Sequence, residues 1–362
     1  MDKTDSTSKI LIALQHVEEL GYKKKASLIE AADGDPIRIA ESRALAEKVL
    51  GREKAEEFYG RLAKIDGIID EMRAREVHWL TYLDEDYPKM LAGIPDPPHV
   101  LFVKGNVAAL KKDCIAVVGS RKATRYGEKV ADDFTREFAR AGLVVVSGFA
   151  RGIDSIAHRA CVAVGAPTVA VFACGLDIVY PAEHKGLMEA ILVNKGAAVS
   201  EYPLGTKPKQ YHFPERNRII SGLSRAVFLA QAAKKSGSLI TMRIANEEQG
   251  RGIYVVPGNI YAAEHEGGND LLRECPHALA ITPDDVLNDM GVTRKAAKRQ
   301  VVELSLLENM IIEALKDGEM HFEELLSFCD ADIGELTTAL INLTVNGLVQ
   351  ETGGNYYALA GM

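Results

Sequence analysis

The chain has 362 residues, of which 47% are hydrophobic and 26% are charged, and its formal net charge is −8. This length predicts two or three domains, and the composition is typical of a globular protein rather than a disordered or membrane-embedded one. The negative charge argues against wholesale basic coating of nucleic acid, although its uneven distribution leaves room for a local basic groove.

The cysteines and the apolar runs indicate a cytoplasmic protein. The five cysteines are scattered, with no CxxC pair and no Cys/His cluster. They are therefore predicted to be reduced, and neither a structural metal site nor a cofactor is expected. The longest apolar runs have the length of a strand and the N-terminus MDKTDSTSK has no apolar signal region, so neither a membrane span nor export is predicted.

Two segments precede the main strand-rich region. In residues 1–78 apolar residues recur at three- and four-residue spacing, which predicts a small helical domain. Residues 79–110 contain four prolines but also large apolar side chains. They are predicted to be an ordered connector that packs on the core and holds one or two short strands.

Residues 111–290 repeat a pattern of strand, glycine-rich turn and helix. The predicted strands are CIAVVG, LVVVSG, PTVAVFACG, AAVSEYP, AVFLAQ and IYVVPGN. These runs are continuously apolar and rich in β-branched residues, so both faces of the sheet should be covered by helices. The pattern predicts an α/β fold whose core is a Rossmann-like, doubly wound parallel sheet.

The end of the chain is predicted to be a separate module. A basic linker, 291–302, precedes three helices and a hairpin that turns at Gly353 and Gly354, which together indicate a winged helix over 303–362. From Glu303 onward eleven carboxylates face one cation, Lys316. Because a duplex reader needs cations that neutralise phosphates, this winged helix is predicted to bind protein rather than duplex DNA.

The turns that follow the predicted strands should meet at one edge of the sheet, where ligands bind in folds of this kind. They are GSRKATRYG, SGFARGID, HFPERNRIISGLS, KKSGSL and VPGNI. Helix N-termini and small residues expose backbone N–H groups, and arginines add bidentate contacts, so several such turns would form a row of phosphate sites.

Each turn also has a plainer interpretation. Glycines between strand and helix are commonly just tight turns, and Asp154 can be a helix cap. The cluster Arg216, Asn217 and Arg218 before a buried helix needs hydrogen-bonding partners. One arginine could hold neighbouring loops while the other faces the strand, with Asn217 tying the backbone of the turn.

Catalytic motifs are absent from the sequence. There is no P-loop, no GxSxG and no GxGxxG, and His158, His184 and His212 lack metal-ligand spacing. The sequence therefore predicts a protein that is not an enzyme.

At these turns the sequence resembles the DprA/Smf family of DNA-processing proteins. The resemblance extends from residue 87 to residue 287 and is carried, in order, by AVVGSR, SGFARGID, HFPERNRIISGLS, SGSLITMRIANEEQGR and VPG. Phe149 is a departure, because the family often has glycine there. The domain order also resembles the longer members, and the N-terminal domain is predicted to be SAM-like or helix-hairpin-helix-like.

The resemblance implies a homodimer, formed through the Rossmann-like domain, that binds single-stranded DNA and loads the RecA recombinase on it in natural transformation or recombination. Arg121 would contact phosphate, Phe213 would stack on a base, and Lys207 or Lys209 would serve as the family's lysine. The predicted DNA-contacting residues are Gly119, Ser120, Arg121, Lys122, Gly148, Arg151, Gly152, Lys207, Lys209, Phe213, Arg216, Asn217, Arg218, Lys235, Ser236, Gly237 and Ser238.

A second family offers an alternative. The core is also similar to Rossmann-like phosphoribohydrolases, whose PGGxGTxxE turn carries a catalytic glutamate. Thr241 corresponds to the threonine of that turn, but Ile244 stands where the glutamate would be. A nucleotide-binding enzyme or sensor is therefore the alternative to a DNA-binding mediator.

Overall fold

Two of the N-terminal helices begin at a side-chain cap. Asp35 accepts a hydrogen bond from the Ile37 N–H (3.0 Å) with Pro36 in the first turn, and Ser42 accepts one from the Leu45 N–H (3.3 Å). The six helices are α1 (Lys3–Gln15), α2 (Tyr22–Ala31), α3 (Pro36–Glu41), α4 (Arg43–Leu50), α5 (Arg52–Ala63) and α6 (Ile65–Ala74).

The computed structural model describes residues 3–293, 304–346 and 348–360. Its contacts divide the chain into two units, Met1–Lys295 and Ala296–Met362. Residues 294–302 of the predicted linker lie outside the described residues. The division keeps the N-terminal helices in the same unit as the sheet, so the predicted boundary at residue 78 remains a prediction.

An eight-stranded sheet forms the centre of the first unit. Its strands are β1 (Val77–Thr81), β2 (Val100–Gly105), β3 (Cys114–Val118), β4 (Val144–Ser147), β5 (Thr168–Val171), β6 (Ala197–Ser200), β7 (Ala226–Leu229) and β8 (Gly252–Val255). Their order is β1-β2-β6-β5-β4-β3-β7-β8. Strands β3 to β8 pair in parallel, whereas β2 pairs antiparallel with both β1 and β6. The predicted parallel α/β sheet is confirmed, and the connector adds the antiparallel edge.

Helices cover both faces of this sheet, as the continuous apolar strands require. The helices of this part are α7 (Lys89–Ala92), α8 (Arg125–Arg140), α9 (Ile153–Ala163), α10 (Lys185–Val193), α11 (His212–Gly222), α12 (Ser238–Arg243), α13 (Glu266–Glu274) and α14 (Pro283–Asp289). On one face Ile115 and Val117 of β3 pack with Phe134 and Phe138 of α8, while their neighbours Ala116 and Val118 belong to a second core on the other face.

The N-terminal helices share a third core with the sheet region. Ile12, Phe58 and Met72 are buried in one cluster with Phe102 of β2 and Phe172, which follows β5. Burial of this apolar surface stabilises the docking of the helices on the rest of the unit.

Two stretches differ from their sequence interpretation. FPERNR was expected as a turn before a helix, but α11 already begins at His212. SLITMRIANEE stands where the repeated pattern of strand, turn and helix predicts a helix, but α12 ends at Arg243 and Ile244–Glu248 is π-helical. The Gln249 N–H there donates to the Ile244 carbonyl five residues back (3.0 Å), which defines the wider turn.

The second unit is built from α15 (Leu306–Ala314), β9 (Met320–His321), α16 (Phe322–Cys329), α17 (Ile333–Val345), β10 (Val349–Gly353) and β11 (Tyr356–Leu359). A capping box between Ser305 and Glu308 starts α15, and Asp332 caps α17. Leu325, Leu336 and Leu343 are buried between the helices. The helices and the hairpin fall where the sequence indicated, but assignment to the winged-helix class remains a prediction. In the described part of the chain, no helix has the length and apolar composition needed to span a bilayer.

Candidate nucleic-acid interface

A pocket opens beyond the carboxyl ends of β3, β4 and β5. Its lining comes from the segments that follow these strands, from the segment that leads into α11 and from the first turn of α11: Arg121, Gly148, Phe149, Ala150, Arg151, Phe172, Ala173, Cys174, Tyr180, Pro181, Pro208 and Phe213. Parallel pairing brings these strand ends to one edge of the sheet. The pocket thus unites four of the predicted contact residues, Arg121, Gly148, Arg151 and Phe213.

Gly152 allows the loops after β3 and β4 to meet. Its φ is +73°, and a Cβ at this position would lie 2.3 Å from the Ser120 carbonyl oxygen. The next N–H, that of Ile153, donates to the same carbonyl (3.1 Å). The Ser120 hydroxyl accepts from the Lys122 N–H (3.1 Å). Gly152 and Ser120 therefore shape the loop that presents the exposed Arg121.

The Arg121 side chain lies over the ring of Phe213. Its guanidinium carbon is 5.0 Å from the ring centroid, and the residue is exposed to solvent. A cation over an aromatic ring keeps its charge and most of its N–H donors available. The pair therefore offers a phosphate-binding group and an aromatic face at the same place.

The other exposed cations near the pocket differ in their partners. Arg151 donates through Nε to Glu183 (2.5 Å). Lys209 Nζ lies 3.3 Å from a carboxylate oxygen of Glu19, which is in the turn between α1 and α2. Lys122 and Lys207 are exposed. Opposite charges already compensate Arg151 and Lys209 in part, so Arg121 is the best placed of the pocket-lining cations to meet phosphate.

Arg216 is buried beneath the pocket. It is 3% exposed, and its Nη1 donates to the carbonyls of Gly148 (2.5 Å) and Val171, at the ends of β4 and β5. Burial lowers the pKa of Arg216 to about 10, and Asp154 opposes this shift. The structure thus gives Arg216 an internal role, and its predicted direct contact with DNA stays a prediction. The residue ties together the loops that form the pocket floor.

Gly148 leaves the space in which Arg216 and Asp154 face each other. A Cβ at Gly148 would lie 2.6 Å from Asp154 Oδ2 and 2.8 Å from Arg216 Nη2. Burial raises the pKa of Asp154, although the Arg216 charge and the Ala150 N–H act in the opposite direction. Asp154 is the first-turn residue of α9 and lies below the pocket rather than in its lining.

Arg218 is buried and is held by two carboxylates that are partly buried. It binds both carboxylate oxygens of Glu201 (2.6 and 3.0 Å) and lies 2.8 Å from Asp96. Burial would raise the pKa of Glu201, but Arg218 lowers it. Burial also lowers the pKa of Lys25, on α2, to about 8 in spite of the Glu201 charge. Arg218 is therefore held inside the protein, and its predicted direct contact with DNA stays a prediction, as does that of its half-buried neighbour Asn217.

The turn after β7 does not reach the pocket. Lys235 and Gly237 are exposed, Ser238 is buried, and the hydroxyls of Ser236 and Ser238 are hydrogen-bonded at 2.7 Å. None of these four residues belongs to the lining. Their predicted contact with DNA remains a prediction.

Sequence reasoning missed the segment after β5. It contributes Ala173, Cys174, Tyr180 and Pro181 to the lining. This segment, CGLDIVYP, contains no lysine or arginine that would indicate a phosphate site. The signal that the sequence offers there is an aromatic residue, Tyr180, next to Pro181.

Phe149 occupies a backbone conformation that favours glycine. Its φ is +59°, which explains why glycine would suit this position. The ring is nevertheless 1% exposed and stacks on Phe172 with centroids 4.8 Å apart. The departure from the family pattern therefore keeps a backbone conformation that suits glycine and adds a buried aromatic ring below the pocket.

Comparison with known proteins gives the family. Residues 78–291 match the family model described as DNA recombination-mediator protein A. This segment contains the whole eight-stranded sheet except the first residue of β1, together with the pocket.

The chain belongs to the DNA recombination-mediator protein A family. Protein Smf of Escherichia coli is 41% identical over 214 residues, which are 59% of this chain and 56% of the Escherichia coli protein. The match therefore spans little more than half of that relative.

Two solved structures of this family resemble the chain. One is the X-ray structure of DNA processing protein A from Streptococcus pneumoniae, which is 33% identical with a TM-score of 0.66 and covers 78% of this chain and 97% of its own. The other concerns the single-stranded DNA binding mode of DNA processing protein A from Helicobacter pylori, which is 29% identical with a TM-score of 0.54. The match covers 59% of this chain and 95% of the Helicobacter pylori chain.

Proposed function

We propose that this protein binds single-stranded DNA at the pocket beyond β3, β4 and β5 and loads the RecA recombinase on it, without catalysing a reaction. The observation that carries the proposal is the exposed Arg121 guanidinium 5.0 Å from the Phe213 ring centroid. A cation beside an aromatic face suits a flexible strand, whose phosphates and unpaired bases are both accessible. The Helicobacter pylori relative is described by its single-stranded DNA binding mode, which supports the same ligand here.

A mobility-shift titration with single- and double-stranded oligonucleotides tests this function. We expect tighter binding of the single strand, weakened by salt, and faster assembly of cognate RecA on DNA that carries the protein. Equal affinity for duplex and single strand would contradict the proposal.

Family membership supports two further parts of the proposal. The protein would act as a homodimer through its Rossmann-like part, and it would act in the cytoplasm, where chromosomal and incoming DNA meet RecA. Size-exclusion chromatography with light scattering tests the dimer, and a single-chain mass at all concentrations would contradict it.

The second unit is proposed to bind protein. From Ala296 onward the sequence contains eleven carboxylates and three cations, Lys298, Arg299 and Lys316. This unit therefore has a net charge of −8, and the preceding 295 residues have no net charge. Helix α17 exposes Ile333 and Ile341. An acidic surface with exposed apolar side chains repels phosphate and suits a protein partner.

Deletion of residues 291–362 is expected to leave the affinity for single-stranded DNA unchanged within about twofold, or to raise it at low salt because a segment with a net charge of −6 is removed. Fluorescence anisotropy with a labelled oligonucleotide measures this, and circular dichroism controls for folding. A loss of about tenfold or more would place DNA binding in the second unit instead.

A further inference from the structure

Tyr180 lies beside Phe213 on the side of the pocket that follows β5. The two ring centroids are 5.8 Å apart at an interplanar angle of 57°, and Tyr180 is 45% exposed. Arg121 already lies over the Phe213 ring. Tyr180 therefore adds a second aromatic surface, much of it in solvent, to the aromatic ring at the pocket mouth.

The floor of the pocket offers little to the edges of a base. Five carbonyls in or beside the floor accept hydrogen bonds from buried side chains: Gly148 and Val171 from Arg216, Phe149 from His184, Ala173 from His212 and Cys174 from Ser200. Because each donor is 5% exposed or less, these carbonyls point into the protein. The side chains of Phe149 and Phe172 add only apolar surface.

The distance between the rings decides where a base would lie. A base inserted between two parallel rings needs them about 7 Å apart, twice the roughly 3.4 Å spacing of stacked bases. The rings of Tyr180 and Phe213 are closer than this and tilted. Bases therefore fit against the outer surfaces of the two rings, one beside the other, rather than between them.

We propose that Tyr180 is a second base-stacking residue, which with Phe213 holds neighbouring bases of a single strand by their faces and not by their edges. The proposal rests on the proposed function, because it assigns a further contact to the same DNA-binding pocket. Aromatic faces accept every base, so the pair would hold the strand with little regard to its sequence.

The test uses the full chain and the shortest homothymidine oligonucleotide that it binds. We expect Tyr180→Ala to weaken binding about fivefold to one hundredfold, and Tyr180→Phe to keep the affinity within about twofold, because the ring and not the hydroxyl makes the contact. Tyr180→Leu, which fills similar space without a π system, should resemble the alanine variant. Tyr261→Ala, which removes a tyrosine that is 92% exposed and outside the lining, is the matched control and should bind as the wild type does.

Abasic oligonucleotides separate stacking from a structural role. Replacing one base at a time should reveal a position at which the abasic change weakens binding to the wild type but adds no loss in Tyr180→Ala. Unchanged affinity of Tyr180→Ala, an equal loss in Tyr180→Phe, additive losses at every abasic position, or a preference of more than about thirtyfold for one homopolymer would each overturn the proposal. If the wild type binds duplex as tightly as single strand, the proposed function fails first, which is a different result.

Discussion

Replacement of Arg121 by alanine is expected to weaken binding of single-stranded DNA about tenfold to one hundredfold. The guanidinium is exposed at the pocket and lies over Phe213, so it can meet a phosphate while the neighbouring ring meets a base. A hydrogen bond to a charged group contributes about 1.5–3 kcal/mol, which corresponds to this loss. The affinity of Arg121→Lys should lie between those of the wild type and Arg121→Ala, because lysine keeps the charge but cannot form the bidentate contact.

Salt dependence provides a second measure for the same variant. Removal of one phosphate contact should reduce the slope of log K against log salt by about 0.7 for a single strand. Arg140→Ala is the matched control, since Arg140 is an exposed arginine in the last turn of α8, at the far end of the helix that follows the Arg121 loop. If both variants lose affinity equally, the effect is one of net charge and Arg121 is not a contact.

Replacement of Arg218 by methionine is expected to destabilise the first unit by about 3–5 kcal/mol near pH 7, because it leaves the Glu201 carboxylate, whose side chain is only 12% exposed, without its partner. Glu201 would lose two hydrogen bonds of 2.6 and 3.0 Å, and Asp96 would lose its cation. Chemical denaturation of the wild type and the variant measures the difference.

The pH dependence of this difference has a definite sign. Arg218 lowers the pKa of Glu201 against the effect of burial, so in the wild type the contribution of Glu201 to stability is present above the unfolded pKa and is lost as the pH falls. In the variant, which lacks Arg218, burial would raise the pKa of Glu201. Protonation of Glu201 at lower pH would then remove its unpaired charge and stabilise the variant. The difference in free energy of unfolding between the wild type and the variant should therefore decrease as the pH falls from about 7 to about 4.5.

An exposed ion pair is the control for the stability measurement. Arg75 and Glu71 lie 3.2 Å apart with side chains 50% and 57% exposed, so Arg75→Met should cost no more than about 0.5 kcal/mol. A cost below about 1 kcal/mol for Arg218→Met would show that the contacts of Arg218 with Glu201 and Asp96 do not stabilise the fold in the way their geometry indicates.

The sheet could be predicted from the sequence because its signal is local. Continuous runs of β-branched residues between glycine turns indicate buried parallel strands wherever they occur. The order of the strands is not local information. The antiparallel pairing of β2 with β6 joins Phe102 to Ser200, and no pattern near either residue specifies the other.

The sequence indicates that one arginine of α11 could hold neighbouring loops, but the partners of the two arginines could not be predicted, for the same reason. Arg216 and Arg218 are two residues apart, so they leave the helix in different directions. Arg216 reaches carbonyls at the ends of β4 and β5, and Arg218 reaches Glu201 and Asp96. Both sets of partners are distant in sequence. The residue type alone does not distinguish an arginine that binds groups inside the protein from one that binds a ligand.

Burial of Lys25 on α2 makes folding of the first unit depend on pH. Its pKa is about 8 in the folded chain because of burial, and about 10.5 is usual for an exposed lysine. Between these two values the unfolded chain keeps the proton and the folded chain has lost it, so folding in this range releases one proton and becomes more favourable as the pH rises. Below about pH 8 the amine is charged in both states, and α2 then carries an ammonium ion into the interior of the protein beside Glu201.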